Sequence, residues 1–517
     1  MAQWEYEQLG RARLLPLQLA LLYRAAGYEQ YRMSRFEEYS LYRENQGFLA
    51  APQVLTFTDL DGRLLALKPD VTLSIAKHAD PAPGGCCRYY YDESVYRPSR
   101  ESHTFQEIGQ MGLECIGEVD EAETAAAVQL ALDSLALAAD GGAALLVLGH
   151  MGFAAGLLRQ AGLDEERKTQ AMRCIHDKNA GALAALCGAE AAVCGMNTLC
   201  GPWQEVLPKA RALAQDEGAL QALEELETLC RRLVPKGCGL ELDLSLANDS
   251  AYYNGLVFRG QISGLARPVL QGGRYDPLAS RFSPSARAVG FAIYRNELER
   301  LDAHPCGLLS VALPKGRLGD KVFRLLQKAG WSAAQGPDSR RLVVEDAAAG
   351  VRYFLVKPSD VAIYVEHGAA DVGIVGKDVL DEGGADVFEL LDTGLGRCRM
   401  CVAGPAGFAD DTGRTLRVAT KYPAIAKRHY AAQGRQIDII KLNGSIELAP
   451  LVGLADVIVD IVETGATLRE NGLVVREEIL PISARLIANR SSYSFKRAAI
   501  DGLLQKLEEV TRNDQNV

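Results

Sequence analysis

Apolar and polar positions alternate in two different ways along this chain. In the first 300 residues, aromatic and apolar residues alternate with charges over long stretches. Arg88 to Arg97 mixes tyrosines with Arg88, Asp92, Glu93 and Arg97, which predicts a strand facing a polar cavity. Phe105 to Gly117 predicts a second strand, with Ile108, Gln110, Gly112 and Glu114 on one face by period two. Ahead of them, Leu14 to Leu22 is an amphipathic helix, and Thr56 to Asp59 with Leu64 to Leu67 reads as a hairpin closed at Asp61-Gly62. Leu67 to Thr72 leads into a helix through Ile75 and Lys77. Asp120 to Ala139 is alanine-rich helix and Leu145 to His150 is strand. From Phe153 to Leu233 the period is almost wholly helical, with helices over 154–163, 180–186 and 210–229, so the segment at about 152–235 predicts a helical insertion. Strands resume at Leu240 to Leu246, Ala251 to Phe258, Gly272 to Asp276 and Ala288 to Ile293.

Beyond residue 308 the grammar changes to short apolar runs separated by helical segments, the signature of an α/β domain. Runs at Leu308 to Leu313, Tyr353 to Lys357 and Asp371 to Gly376 belong to a first set. Met400 to Ala403, Leu416 to Thr420, Ile437 to Leu442 and Val457 to Val462 belong to a second. Leu480 to Asn489 crosses back, and Tyr493 to Thr511 is a terminal helix. These crossings predict two lobes around a hinged cleft, 308–398 with 485–517 and 399–484. Residues 304–307, with Pro305 and Gly307, mark the boundary with the first part of the chain at 1–303.

Candidate chemistry gathers at strand ends. Val457 to Val462 is β-branched apart from Asp460, and Glu463-Thr464-Gly465-Ala466-Thr467 then opens a short helix ended by Gly472. Outward backbone N–H groups, a glycine and two threonine hydroxyls suit a phosphate, and Glu463 suits sugar hydroxyls. Taken alone, such a turn is most often an ordinary strand-to-helix connection with threonine caps. The basic turn Pro314-Lys315-Gly316-Arg317 follows an apolar strand, where nucleotide phosphates bind in α/β folds.

The 517 residues are 48% hydrophobic and 24% charged, enough for several cores. No apolar run reaches the roughly 18 residues of a membrane span, and Met1 to Gly10 lacks a signal-peptide core. Twelve cysteines without repeated spacing imply thiols of a reducing cytosol and predict no metal site. A net charge of −10 argues against nucleic acid as a partner while leaving room for local basic pockets.

The first 303 residues resemble the catalytic core of histidyl-tRNA synthetase, and more closely its relative, the regulatory subunit of ATP phosphoribosyltransferase. The resemblance is carried by Gly272-Gly273-Arg274-Tyr275-Asp276, by Tyr252-Tyr253, and by Val95-Tyr96-Arg97 with Gln110-x-Gly-x-Glu114. It implies a class II synthetase fold, an antiparallel sheet flanked by helices and usually dimeric. It also implies a histidine site: Asp70 and Thr72 at the amino group, Arg97 on the second signature strand, Gln110 and Glu114 reading ammonium and carboxylate, Tyr253 and Tyr275 lining the imidazole. Asn248 stands where the synthetases have a catalytic arginine, the third-signature arginine is replaced around Glu297, and no anticodon-binding domain follows. Adenylation needs cations on the developing phosphoryl charge, so these departures point to a sensor rather than a tRNA-charging enzyme.

Residues 308–517 resemble the short form of ATP phosphoribosyltransferase throughout. The ordered matches are Leu313 to Arg317, Tyr364-Val365-Glu366, Asp371 to Asp378, Gly453 to Asp456, and Asp460 to Leu468 with Asn471-Gly472-Leu473. The resemblance implies a two-lobed fold like a periplasmic binding protein. The implied reaction joins N1 of ATP to phosphoribosyl pyrophosphate with release of pyrophosphate, opening histidine biosynthesis. Phosphoribosyl pyrophosphate would lie on Asp460, Glu463, Thr464, Gly465, Ala466 and Thr467, and ATP beside Lys315, Gly316 and Asp378. Lys315, Arg317, Arg340 and Lys357 are the candidate catalytic cations; the family usually has an arginine near Lys357, and lysine does not make the same bidentate clamp. Magnesium is expected on substrate oxygens, histidine as feedback inhibitor, and a cytoplasmic homo-oligomer as the working form. The competing reading is a catalytically inactive histidine- or nucleotide-binding sensor.

Overall fold

The computed structural model describes residues 11–49, 53–99, 104–246, 252–301, 308–331, 342–346 and 350–515. Asn248, Arg340 and the 304–307 connection lie outside the described residues. The chain divides into two units, Met1–Pro305 and Cys306–Val517.

The first unit is built on a nine-stranded sheet. Helix α1 (Arg11–Ala25) and helix α2 (Thr72–His78) precede strands β1 (Cys86–Pro98) and β2 (Phe105–Gly117), which pair antiparallel over their full length. Helix α3 (Glu121–Ala139) follows, then β3 (Ala144–His150), β4 (Gly239–Asp243), β5 (Leu256–Ile262), β6 (Leu270–Arg274) and β7 (Arg287–Tyr294). The central order is β1-β2-β7-β6-β5-β3-β4, antiparallel except for β3 with β4. The register sets Glu114 opposite Tyr89 on one side and Gly290 on the other, and Gln110 opposite Glu93 and Tyr294. Asp120 caps α3 by accepting a bond from the Glu123 amide. By length and composition α3 is apolar enough to cross a bilayer, although Glu121, Glu123 and Asp133 interrupt any unbroken apolar run. It packs on the sheet with Ala127, Val128, Ala131, Leu132 and Leu135 in the core.

Between β3 and β4 lies the helical insertion, and the structure corrects its predicted helices. The single helix expected over 210–229 is two, Trp203–Leu213 and Glu217–Arg232, because Asp216 breaks the run and caps the second through the Ala219 amide. Glu165–His176 is a further helix within the stretch expected to be helical, burying only Ala171 and Ile175. The predicted strand at 251–258 begins only at Leu256: Asn254 instead bonds across to the Arg274 carbonyl and the Asp276 amide. One buried cation ties insertion to sheet. Lys178, at φ 53°, donates to the Asp243 carboxylate at 3.0 Å and to Ser245 Oγ at 2.5 Å.

The second unit holds two sheets. In the first, β8 (Leu309–Pro314), β9 (Val343–Asp346), β10 (Val351–Val356), β11 (Val372–Gly376) and β12 (Phe388–Asp392) combine with β18 (Ala484–Ala488) in the order β9-β10-β8-β11-β18-β12. In the second, β13 (Cys398–Pro405), β14 (Leu416–Thr420), β15 (Ile437–Lys441), β16 (Val457–Val462) and β17 (Leu473–Ile482) run β15-β14-β16-β13-β17. The chain passes between the sheets after β12 and after β17. The crossing expected as one segment over 480–489 is the end of β17 plus β18, separated at Ser483. The terminal helix is likewise two, Arg490–Phe495 and Arg497–Gln515, with Lys496 between them reaching Asp371 and the Leu308 carbonyl.

Removing a buried ammonium strands the carboxylate it faces. We expect Lys178→Ala to lower the stability of the first unit by about 3 kcal/mol, read as a shift in the urea midpoint.

Candidate functional sites: a two-lobed cleft and a buried carboxylate pocket

Every predicted catalytic segment that the structure describes follows the C-terminal end of a parallel strand. Pro314 ends β8, Gly316 at φ 82° makes the turn, and Arg317 begins helix α4 (Arg317–Lys328). Next to it, Lys357 follows β10, and the Lys315 amide donates to the Val356 carbonyl at 2.8 Å. Lys315, Arg317 and Lys357 are exposed. Asp378 lies in helix α5 (Lys377–Gly383), directly after β11.

In the other lobe β16 ends at Val462, and Glu463 to Gly465 turn into helix α7 (Ala466–Glu470). Gly465 sits at φ 71°, the left-handed region that glycine favours. A side chain there would stand 3.2 Å from an Arg469 nitrogen, because Arg469 folds back to donate to the Thr464 carbonyl at 3.1 Å. The Ala466 amide reaches Thr464 Oγ1 at 3.4 Å, while Glu463, Thr464 and Thr467 face solvent.

Between the lobes, Tyr422 donates from its hydroxyl to Asp378 Oδ2 at 3.2 Å. Asp460 accepts the Ile461 amide at 2.8 Å. Burial pushes Asp460 up to about 6, with nearby Glu447 and Asp378 adding to the rise and Lys421 opposing it. Burial also lifts Cys398 to about 11, with Asp378 and Glu463 contributing. The structure therefore brings Asp378, Asp460 and Glu463 into one electrostatic neighbourhood. Lys315, Gly316, Arg317 and Lys357 form a separate group at the ends of β8 and β10. Sequence reasoning gave no role to Tyr422, Lys421, Glu447, Cys398 or Arg469; the run Lys421-Tyr422-Pro423 at a strand end was the available signal for the first two.

The first unit has its own polar centre. Glu114 on β2 is buried and accepts from Thr72 Oγ1 at 2.6 Å and from the Tyr275 hydroxyl at 2.5 Å. Burial drives Glu114 up to about 8, against these two donors, which pull it down. Asp70 accepts the Leu73 amide at 2.9 Å and faces Arg97 at 3.4 Å, and Arg97 Nε donates to the Pro69 carbonyl at 2.8 Å. Arg97 is thus committed to the Asp70 segment. Tyr253 is part of the same cluster, packed edge-on against Tyr252 at 4.8 Å between centroids, with Tyr252 5.6 Å from Tyr275. Gln110 is buried four residues earlier on β2. The sequence missed Gly290, where a methyl group would come within 1.8 Å of Glu114 Oε2. It also gave no role to Tyr91 and Tyr252, whose hydroxyls burial and nearby Glu114 and Asp70 keep protonated.

Together these define a synthetase-like α+β unit with a buried polar pocket, joined to a two-lobed α/β unit with a phosphate-type loop. The family model for ATP phosphoribosyltransferase matches residues 357–509, and that for histidyl-tRNA synthetase matches residues 4–298. An ATP phosphoribosyltransferase of Brachyspira hyodysenteriae is 55% identical over 205 residues, 39% of this chain and 100% of that protein. One from Caldanaerobacter subterraneus is 52% identical over 204 residues, 39% of this chain and 97% of the relative. A Bacillus halodurans structure described as an ATP phosphoribosyltransferase regulatory subunit/histidyl-tRNA synthetase shares the fold at a TM-score of 0.50 and 23% identity, covering 67% of this chain and 94% of its own. The chain belongs to the ATP phosphoribosyltransferase family through its second unit and to the histidyl-tRNA synthetase family through its first.

A raised folded-state carboxyl adds stability that is complete below the unfolded value of 3.8 and is lost as pH rises through about 6. Asp460→Asn should therefore melt at a higher temperature than the parent at pH 7, with the gap closing towards pH 4. Thermal scans across that range read it.

Proposed function

We infer that this chain is an ATP phosphoribosyltransferase that carries its regulatory half in the same polypeptide. The observation behind this reading is the second unit's 55% identity to a whole ATP phosphoribosyltransferase, with its Glu463–Thr467 loop and Asp378 at strand ends of one cleft. The reaction is a pentosyl transfer, a glycosyltransferase step. N1 of ATP displaces pyrophosphate from the anomeric carbon of phosphoribosyl pyrophosphate through an oxocarbenium-like state, so the protein must hold two substrates in line and stabilise developing charge.

Amides and hydroxyls of Thr464, Gly465, Ala466 and Thr467 take the 5′-phosphate. Glu463 and Asp460 take the ribose hydroxyls, and their charge also favours a cationic sugar. Lys315 and Arg317 neutralise pyrophosphate or ATP phosphate, Lys357 assists as a point charge, and Gly316 and Asp378 border the nucleotide. Arg340 completes the assignment of cations. Carboxylates at Asp378, Asp460 and Glu463 offer hard oxygen donors compatible with magnesium arriving on substrate. When bound, the metal offsets pyrophosphate charge.

The first unit is the histidine sensor. Glu114 and Asp70 suit an ammonium, Thr72 and Gln110 suit polar groups of the ligand, and Tyr253 and Tyr275 suit an imidazole. Arg97, held by Asp70 and the Pro69 carbonyl, orients that carboxylate. The enzyme is assigned to the cytoplasm as a homo-oligomer, with no nucleic acid or membrane partner.

Product formation from ATP and phosphoribosyl pyrophosphate, followed spectrophotometrically with and without histidine, tests the whole reading. Formation of the adduct and its suppression by histidine are expected; no product in any condition would sink it. Gly465→Val should raise the KM for phosphoribosyl pyrophosphate about tenfold or more, since the left-handed turn is lost. Glu114→Gln should leave uninhibited turnover near the parent rate and weaken histidine inhibition about tenfold, a charged hydrogen bond's worth. Unaltered inhibition would remove Glu114 from the sensor.

A further inference from the structure

Helix α6 (Pro423–Ala432) starts with a proline, which has no N–H, and no local side chain caps it. Its first free donors, Ala424 and Ile425, point instead at a carboxylate 42 and 43 residues earlier in the chain, on the other lobe. The Ala424 amide meets both oxygens of Glu382, at 3.0 and 2.9 Å, and the Ile425 amide meets Oε2 at 3.1 Å. Two further bonds run beside it. Arg428 donates to the Asp381 carbonyl at 2.5 Å, and Tyr422 donates to Asp378 at 3.2 Å. Asp378 and Glu382 are spaced i, i+4 on α5, so their side chains share the face that meets residues 422–425.

A helix needs only a nearby Ser, Thr, Asp or Asn to satisfy its first amides. Borrowing the cap from the opposite lobe makes cap formation depend on the distance between lobes. A carboxylate at a helix N-terminus is favoured by the aligned peptide dipoles and by charge-assisted bonds, and both gains fall off within a turn. We propose that Glu382 is a positioning residue for the transfer reaction. By filling the N-terminus of α6 it fixes the Lys421-Tyr422 turn over Asp460 and sets the cleft width that a substrate bridging both lobes requires. The inference rests on the assignment of phosphoribosyl pyrophosphate to this cleft, with its 5′-phosphate on one lobe and its pyrophosphate towards the other.

The test compares the full chain with Glu382→Ala and Glu382→Gln. Hydrogen exchange without substrate should show faster exchange of the 421–430 segment in Glu382→Ala, with the melting temperature within about two degrees of the parent. Steady-state assays should show the KM for phosphoribosyl pyrophosphate raised about tenfold and kcat within about twofold, with Glu382→Gln intermediate because it keeps one neutral acceptor. Unchanged exchange in Glu382→Ala overturns the cap. Equal losses in kcat and melting temperature, with no selective KM change, reduce Glu382 to a structural residue and overturn the proposal. If the parent forms no product while exchange responds as expected, the reading of the cleft fails and the cap between lobes stands.

Discussion

The ends of parallel strands govern the second unit. In a parallel arrangement each strand delivers its following loop to the same edge, and two such sheets facing each other make a crevice lined by those loops. Lys315 after β8, Lys357 after β10, Asp378 after β11, Lys421 after β14 and Glu463 after β16 all follow from that one constraint. None is close to the others in sequence. Among the described strands, β9, β18 and β13 are the exceptions, antiparallel to β10, β11 and β16.

Each unit holds a carboxylate whose burial outweighs its partners. Asp460 rises to about 6 among other acids with Lys421 as the nearby cation. Glu114 rises to about 8 although Thr72 and Tyr275 both donate to it. Burying an ionisable group beyond its partners costs stability, and such groups gather at functional sites. A sheet built for packing alone would have placed apolar residues at both positions. Gly290, pressed against Glu114, shows the backbone giving way to the carboxylate.

Legibility in the sequence followed periodicity and burial. The strand pair at Cys86–Pro98 and Phe105–Gly117 and the strand at Val457–Val462 were readable because period two or an unbroken β-branched run leaves no helical alternative. Helix Glu165–His176 was not delimited within the helical stretch, since its polar residues leave only Ala171 and Ile175 buried. Likewise β17 is mostly exposed, with Glu477 and Glu478 in its middle, and the residues reveal a strand only once it lies against β13. The phosphate-type loop was legible as chemistry, but Tyr422 and Glu382 were not, because their partners lie more than 40 residues away.

By itself, then, the sequence determined the two-unit order, the strand and turn at 457–467, the basic turn at 315–317, and the family of each half. Local propensity, period and ordered motifs are properties of neighbouring residues, and the chain carries them in any conformation. Only the tertiary structure decided which acids share a neighbourhood, that Arg97 is committed to Asp70, and that α6 takes its cap from the opposite lobe. Those outcomes depend on distances between residues far apart in the chain, and on burial, which exists only after the sheets have packed.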